Sequence, residues 1–148
     1  MKLTLYSDYS LRMLVFLGAK EKDELSNIKE IADAYNISKN HLMKVTHELG
    51  KLGYIETIRG RNGGIRLAKH PSDINIGEVV RQTEDDFHLV ECFVDPGRCV
   101  ITPICGLRHV FVEAMQAFLA VLDRYTLNDF LADKDMLRIF LEADASST

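Results

Sequence analysis

Cys92, Cys99 and Cys105 are the only cysteines of this 148-residue chain, and they fall within fourteen consecutive residues. Thiols concentrated in this way build a metal or redox site. Thiolates are soft ligands suited to zinc or to iron–sulfur clusters. Both normally take four protein ligands, so three cysteines leave one place for an Asp, a Glu, a His or solvent. The tight Cys-x2–4-Cys pair usual in zinc sites is absent. Separate buried or mildly reactive thiols are the simpler alternative.

The surrounding sequence must position these sulfurs. Asp95-Pro96-Gly97 predicts a turn that folds the segment back. Thr102 is expected to cap a helix with Pro103 at its first position. That places Cys105 in the first turn, where the helix dipole favours anionic sulfur. From there Ile104, Leu107, Phe111, Ala114, Phe118, Val121 and Tyr125 recur in steps of three and four. Such a heptad seam packs along another long helix. In a chain this short, the expected partner is the same helix of a second copy.

The N-terminal half reads as a different device. Ser7 or Asp8 is expected to cap a first helix with Leu11, Leu14, Val15 and Gly18 on its apolar stripe. A second helix begins near Ser26-Asn27. Asn36-Ile37 marks a turn, and Ser38 caps a third helix carrying Leu42, Val45, Leu49 and Leu52 at helical spacing. Two short helices around such a turn form a helix-turn-helix. The outer face of the third helix holds Asn40, Lys44, His47 and Lys51, with Lys39 and His41 flanking its first turn, and Ser38, Asn40, His41 and Lys44 are the expected base contacts. Asn pairs with adenine edges, and Lys reaches guanine or phosphate. Tyr54–Ile58 and Ile65–Leu67 then alternate like two strands of a hairpin. Between them lies Arg59-Gly60-Arg61-Asn62-Gly63-Gly64, whose Gly and Asn residues suit positive backbone dihedrals. Its arginines suit a narrow minor groove. The loop is not a phosphate-binding P-loop, because no Gly-Lys-Ser/Thr opens a helix after it. Asn75–Thr83 predicts a short connecting helix.

Charge follows the same division. The net charge of −4 divides into +4 for residues 1–70 (12 Lys/Arg, 8 Asp/Glu) and −8 for residues 71–148 (6 and 14). A basic head on an acidic body fits a nucleic-acid reader. With 47% hydrophobic and 27% charged residues the composition is that of a globular protein. The sequence shows no signal peptide and no membrane span, so the cytoplasm and reduced thiols are expected. Without a dinucleotide fingerprint, a nucleophile triad or a second cysteine set, no enzyme is expected. The fold expected is mainly α with a small β wing. Residues 1–70 form a winged helix-turn-helix DNA-binding domain. Residues 71–148 supply a connector, a cysteine loop and a long C-terminal dimerisation helix.

These segments together resemble the Rrf-type family of winged-helix iron–sulfur regulators, especially its nitric-oxide-responsive repressors. The resemblance rests on Tyr9-Ser10-Leu11-Arg12, Ile37–Leu42, Leu52-Gly53-Tyr54, Arg59–Leu67, Asn75–Val80 and the three cysteines, and it runs from Met1 to about Leu131. It implies a homodimer in which Cys92, Cys99 and Cys105 hold an iron–sulfur cluster of the 4Fe–4S type. It also implies that Asp8 of the other subunit is the fourth ligand, with Arg12 as its neighbour one turn on. IscR-like members carry a histidine three residues after the last cysteine. Arg108 stands there in this chain, with His109 one residue later, which disfavours that ligand set. The function implied is repression at a palindromic, A·T-rich operator, relieved by nitric oxide. A regulator of the same architecture answering iron–sulfur status, redox stress or cysteine supply is the alternative.

Overall fold

A computed structural model describes residues 1–146, with side-chain burial given through Ala143. The last two residues of the 71–148 segment lie outside the described residues. The chain runs α1 (Leu5–Gly18), α2 (Ile28–Tyr35), α3 (Lys39–Lys51), β1 (Ile55–Ile58), β2 (Gly64–Leu67), α4 (Ile76–Thr83), α5 (Glu91–Val94), α6 (Gly106–Asp123) and α7 (Lys134–Ser146). Short 3-10 turns occupy Pro71–Asp73, Pro96–Arg98, Thr102–Ile104 and Leu127–Phe130. No described helix is long and apolar enough to cross a membrane.

Local chemistry sets most helix starts. Asn27 accepts the Glu30 amide at the start of α2, and Asn75 accepts the Glu78 amide at the start of α4. Asn36 ends α2 in the left-handed region (φ 54°), so the chain turns sharply into α3. Ser38 occupies the N-cap of α3 but makes no side-chain cap bond. Gly53, at φ 85°, stops that helix, whereas Gly50 lies inside it.

The first helix starts earlier than expected. Thr4, not Ser7 or Asp8, is its cap, accepting the Ser7 amide. The reason is tertiary: Glu84, eighty residues on, accepts both the Thr4 amide (2.7 Å) and its hydroxyl (3.1 Å). Asp8 is thereby placed in the first turn.

The antiparallel hairpin pairs Ile55 with Leu67 and Ile58 with Gly64. Of its loop residues only Gly60 takes a positive φ (112°). Asn62, Gly63 and Gly64 do not, which corrects the expectation of positive dihedrals throughout. Gly63 and Gly64 are there for space. A Cβ at Gly63 would overlap the Ile58 carbonyl oxygen, and one at Gly64 would lie 2.7 Å from the Ser26 carbonyl oxygen.

One core joins both halves of the chain. Met13, Leu14, Ile31, Leu42, Val45, Leu49 and Tyr54 of the head are fully buried, and so are Ile74, Val79 and Leu127 from beyond residue 70. Each such aliphatic side chain contributes about 1.5–3 kcal/mol. The unanticipated α7 packs on α2, started by Asp133, which accepts the Met136 amide. The C-terminal end of α6 is pinned to α4. Asn75 donates to the Asp123 carbonyl (2.8 Å), the Ile76 amide donates to the Tyr125 carbonyl (3.0 Å), and Arg81 grips the Asp123 carboxylate with both terminal nitrogens. Those bonds hold Asp123 below the usual carboxylate range. Gly77 permits the contact, since a Cβ there would overlap Asp123.

The rest of α6 is open. None of its residues is buried. On the apolar stripe Leu107 is 60% exposed and Val121 44%. The helix covers Leu107 to Val121 of the heptad, while Ile104 lies in the preceding 3-10 turn and Tyr125 just beyond the end.

Candidate nucleic-acid interface and cysteine site

The α3 residues expected to read DNA all face solvent. Ser38, Lys39, Asn40, His41 and Lys44 are all exposed, as are Arg59, Gly60 and Arg61 of the wing. Lys29, Lys51 and Arg66 each hold a carboxylate. Among the described residues Lys39, Lys44, Arg59 and Arg61 have no ion-pair partner. Their charge is left for an external anion, as phosphate binding requires. Met43 adds a half-exposed apolar side chain to this surface (51%), suited to a thymine methyl.

Behind that face, Asp8 and Arg12 form a bidentate pair one helical turn apart, Nε to Oδ1 at 3.1 Å and Nη2 to Oδ2 at 3.0 Å. The Arg12 guanidinium lies 5.8 Å from the ring centroids of both Tyr9 and Tyr35. Tyr35 donates its hydroxyl to the Arg12 carbonyl (2.9 Å), and burial pushes its phenol up to about 12, so it stays a donor. Tyr9 in turn meets the His41 ring of α3 at 6.0 Å. A continuous set of contacts thus runs from Asp8 to the candidate reading surface. The Tyr9–Arg12 part follows from helical spacing, but Tyr35 is brought in by packing and carries no local signal.

The cysteine segment is a chain of short turns. Cys92 is half-buried in α5, Cys99 is exposed, and Cys105 is half-buried. The expected turn at Asp95 is present as a 3-10 turn, with Asp95 accepting the Gly97 amide (3.0 Å). The expected single helix from Thr102 is not. Thr102–Ile104 is a 3-10 turn, and Cys105 takes extended dihedrals (φ −79°, ψ 106°) as the N-cap of α6. The break comes at Cys105 itself, so the residue stands at the N-cap of α6 and not in its first turn. His109 is exposed.

Among the described residues no three of His, Cys, Asp and Glu converge closely enough to form a metal-holding group. The three thiols stay within one loop region, and Asp8 of the same chain is committed to Arg12. The donor chemistry nonetheless fits an iron–sulfur cluster. Three soft sulfurs are free, and two shielded polar atoms of the same segment, Thr102 Oγ1 and Arg108 Nε, have no hydrogen-bond partner.

Comparison with known proteins agrees with this layout. The family model described as "Iron-dependent Transcriptional regulator" (Rrf2) matches residues 3–133. The chain is 64% identical to the HTH-type transcriptional regulator NsrR of Bacillus licheniformis, covering 95% of this chain and 99% of that one. It is 65% identical to NsrR of Bacillus subtilis, covering 91% and 93%. Among solved structures, CymR, the global cysteine regulator of B. subtilis, superposes with a TM-score of 0.72 at 27% identity over 89% of this chain and 97% of its own. The T. potens IscR shares the fold with the same TM-score at 24% identity, over 90% of this chain and 88% of its own. With recognition helix, wing and cysteine loop in this order, the chain belongs to the Rrf2 family of iron-dependent transcriptional regulators.

Proposed function

We propose that this protein is a cytoplasmic, dimeric transcriptional repressor whose hold on a palindromic operator is governed by an iron–sulfur cluster responsive to nitric oxide. The observation that carries the DNA-binding part is the set of unpaired cations on α3 and the wing. In a dimer, two such faces would meet successive major grooves about 34–36 Å apart. The open stripe of α6 supports the dimer, and the NsrR relatives support the signal. Regulation by cysteine supply rests on 27% identity to CymR, far below the 64–65% shared with the two NsrR proteins.

Cys92, Cys99 and Cys105 would hold the cluster, with Asp8 of the second protomer as fourth ligand. When bound, the cluster supplies iron at which nitric oxide coordinates. Asp8, a hard carboxylate among soft thiolates, would be the weakest of the four ligands. It serves either iron or Arg12. Paired with Arg12, Asp8 holds the guanidinium beside the Tyr9 and Tyr35 rings, and Tyr9 bears on His41 at the reading surface. An effector acts only through such a difference between two states.

Two substitutions test the assignments. Lys44→Ala is expected to weaken operator binding and to flatten its salt dependence by about one unit of slope. Unchanged binding in a fluorescence titration at several salt concentrations would remove Lys44 from the interface. Asp8→Ala is expected to leave the fold intact, because an exposed i,i+4 ion pair contributes only about 0.3–0.5 kcal/mol. It is expected to alter the visible absorption of the anaerobic protein or its response to nitric oxide. An identical spectrum and response would take Asp8 out of the site.

A further inference from the structure

Shielded polar atoms without partners are rare, because each gives up hydration for nothing. Among the described residues there are five: Ser10 Oγ, Ser26 Oγ, Thr102 Oγ1, Arg108 Nε and Arg138 Nη2. The last still sits between the Glu21 and Glu24 carboxylates. Two of the remaining four belong to one seven-residue stretch of the cysteine segment, and the backbone ties that stretch to the thiols. The Thr102 amide donates to the Cys99 carbonyl (3.2 Å), and the Cys105 amide donates to the Thr102 carbonyl (3.4 Å). Arg108 follows Cys105 by three residues, one turn along α6 on the same side. Its guanidinium lies 5.7 Å from the ring centroid of Phe93, the residue after Cys92.

Arg108 also differs electrically from its neighbour Arg98. Arg98 faces Glu91 (3.3 Å) and Asp95 (3.9 Å). Arg108 has no carboxylate partner among the described residues. A half-buried guanidinium whose Nε–H is sealed from water calls for an anion or a strong acceptor. A hydroxyl sealed in the same stretch calls for an acceptor too. Among the described residues neither atom has such a partner, whereas cysteine thiolates and bridging sulfides carry negative charge and accept hydrogen bonds.

We infer that Thr102 and Arg108 are positioning residues for the iron–sulfur group, the Thr102 O–H and the Arg108 Nε–H donating to its sulfur atoms. This rests on the cluster reading above. Hydrogen bonds to sulfur and nearby positive charge raise a cluster's reduction potential and stabilise its bound form.

The test uses full-length Thr102→Val and Arg108→Met. Valine keeps the threonine shape and removes only the hydroxyl. Methionine keeps an unbranched stem against Phe93. Each is measured cluster-free by thermal melting, and anaerobically loaded by iron release to a ferrous chelator and by redox titration. Cluster-free Thr102→Val is expected to melt no lower than the parent, because it loses an unpaired polar group. Loaded, both variants are expected to release iron about tenfold faster than the parent, with the reduction potential displaced to more negative values. Parental release rates and potentials in both variants would overturn the inference. So would a Thr102→Val protein that melts lower cluster-free yet behaves as the parent when loaded, since the hydroxyl would then serve the fold. If the parent itself takes up no iron and sulfide, the cluster reading fails first, and that failure is visible without either variant.

Discussion

Glutamate at both Ala114 and Val121 is expected to convert the protein to a monomer and to lower operator affinity about 10²–10⁴-fold, the avidity that a second linked reading head provides. Both residues lie on the apolar stripe of α6 and are exposed in the single chain, so the substitutions leave the protomer core untouched. In a two-fold seam each substitution introduces two carboxylates facing apolar side chains, and burying unpaired charge is strongly unfavourable. Both positions are also at least nine residues from Cys105, so the thiols keep their surroundings. Sedimentation equilibrium gives the mass, and a titration with a full palindrome gives the affinity. A variant that stays dimeric with parental affinity would place the seam elsewhere.

Gly63→Ala is expected to cost the wing its contribution to binding while leaving the helical core folded. The added Cβ would overlap the Ile58 carbonyl oxygen and lie 3.0 Å from that of Gly60. Both are backbone atoms of the same tight loop, so no side chain can swing aside. The Ile58–Gly64 pair at the end of the hairpin must open, and Arg59 and Arg61 move with it. Each groove-reading arginine is worth about 1–3 kcal/mol, so operator affinity is expected to fall at least tenfold. Asn62→Ala, at the exposed tip, is the control that keeps the loop geometry. A Gly63→Ala protein with parental affinity would show that the wing does not engage DNA.

What the sequence discloses is what local chemistry controls. Asn27, Asn36 and Asn75 announce helix ends because their side chains or backbones complete those ends within a few residues. The heptad of α6 is legible because period alone defines a stripe, and the structure leaves that stripe open. The α1 boundary is hidden because Thr4 is recruited by Glu84 from across the fold. The break at Cys105 is hidden because Thr-Pro is as good a start for a 3-10 turn as for a helix. At the site, Asp8 and the thiols are legible from residue type. Tyr35 over Arg12 is not, since only the packing of α2 on α1 brings it there. The sealed Thr102 hydroxyl and Arg108 Nε are likewise properties of burial, which no spacing encodes.

Iron–sulfur occupancy and operator grip are coupled in this reading of the protein. The most direct test of that coupling is an oxygen-free operator titration of freshly prepared, iron-replete protein before and after nitric oxide, with iron and sulfide counted on the same sample. The account predicts coloured protein carrying iron and sulfide that binds the palindrome and loses affinity about 5–150-fold on exposure to the gas. Colourless protein, or equal affinity with and without nitric oxide, would contradict it.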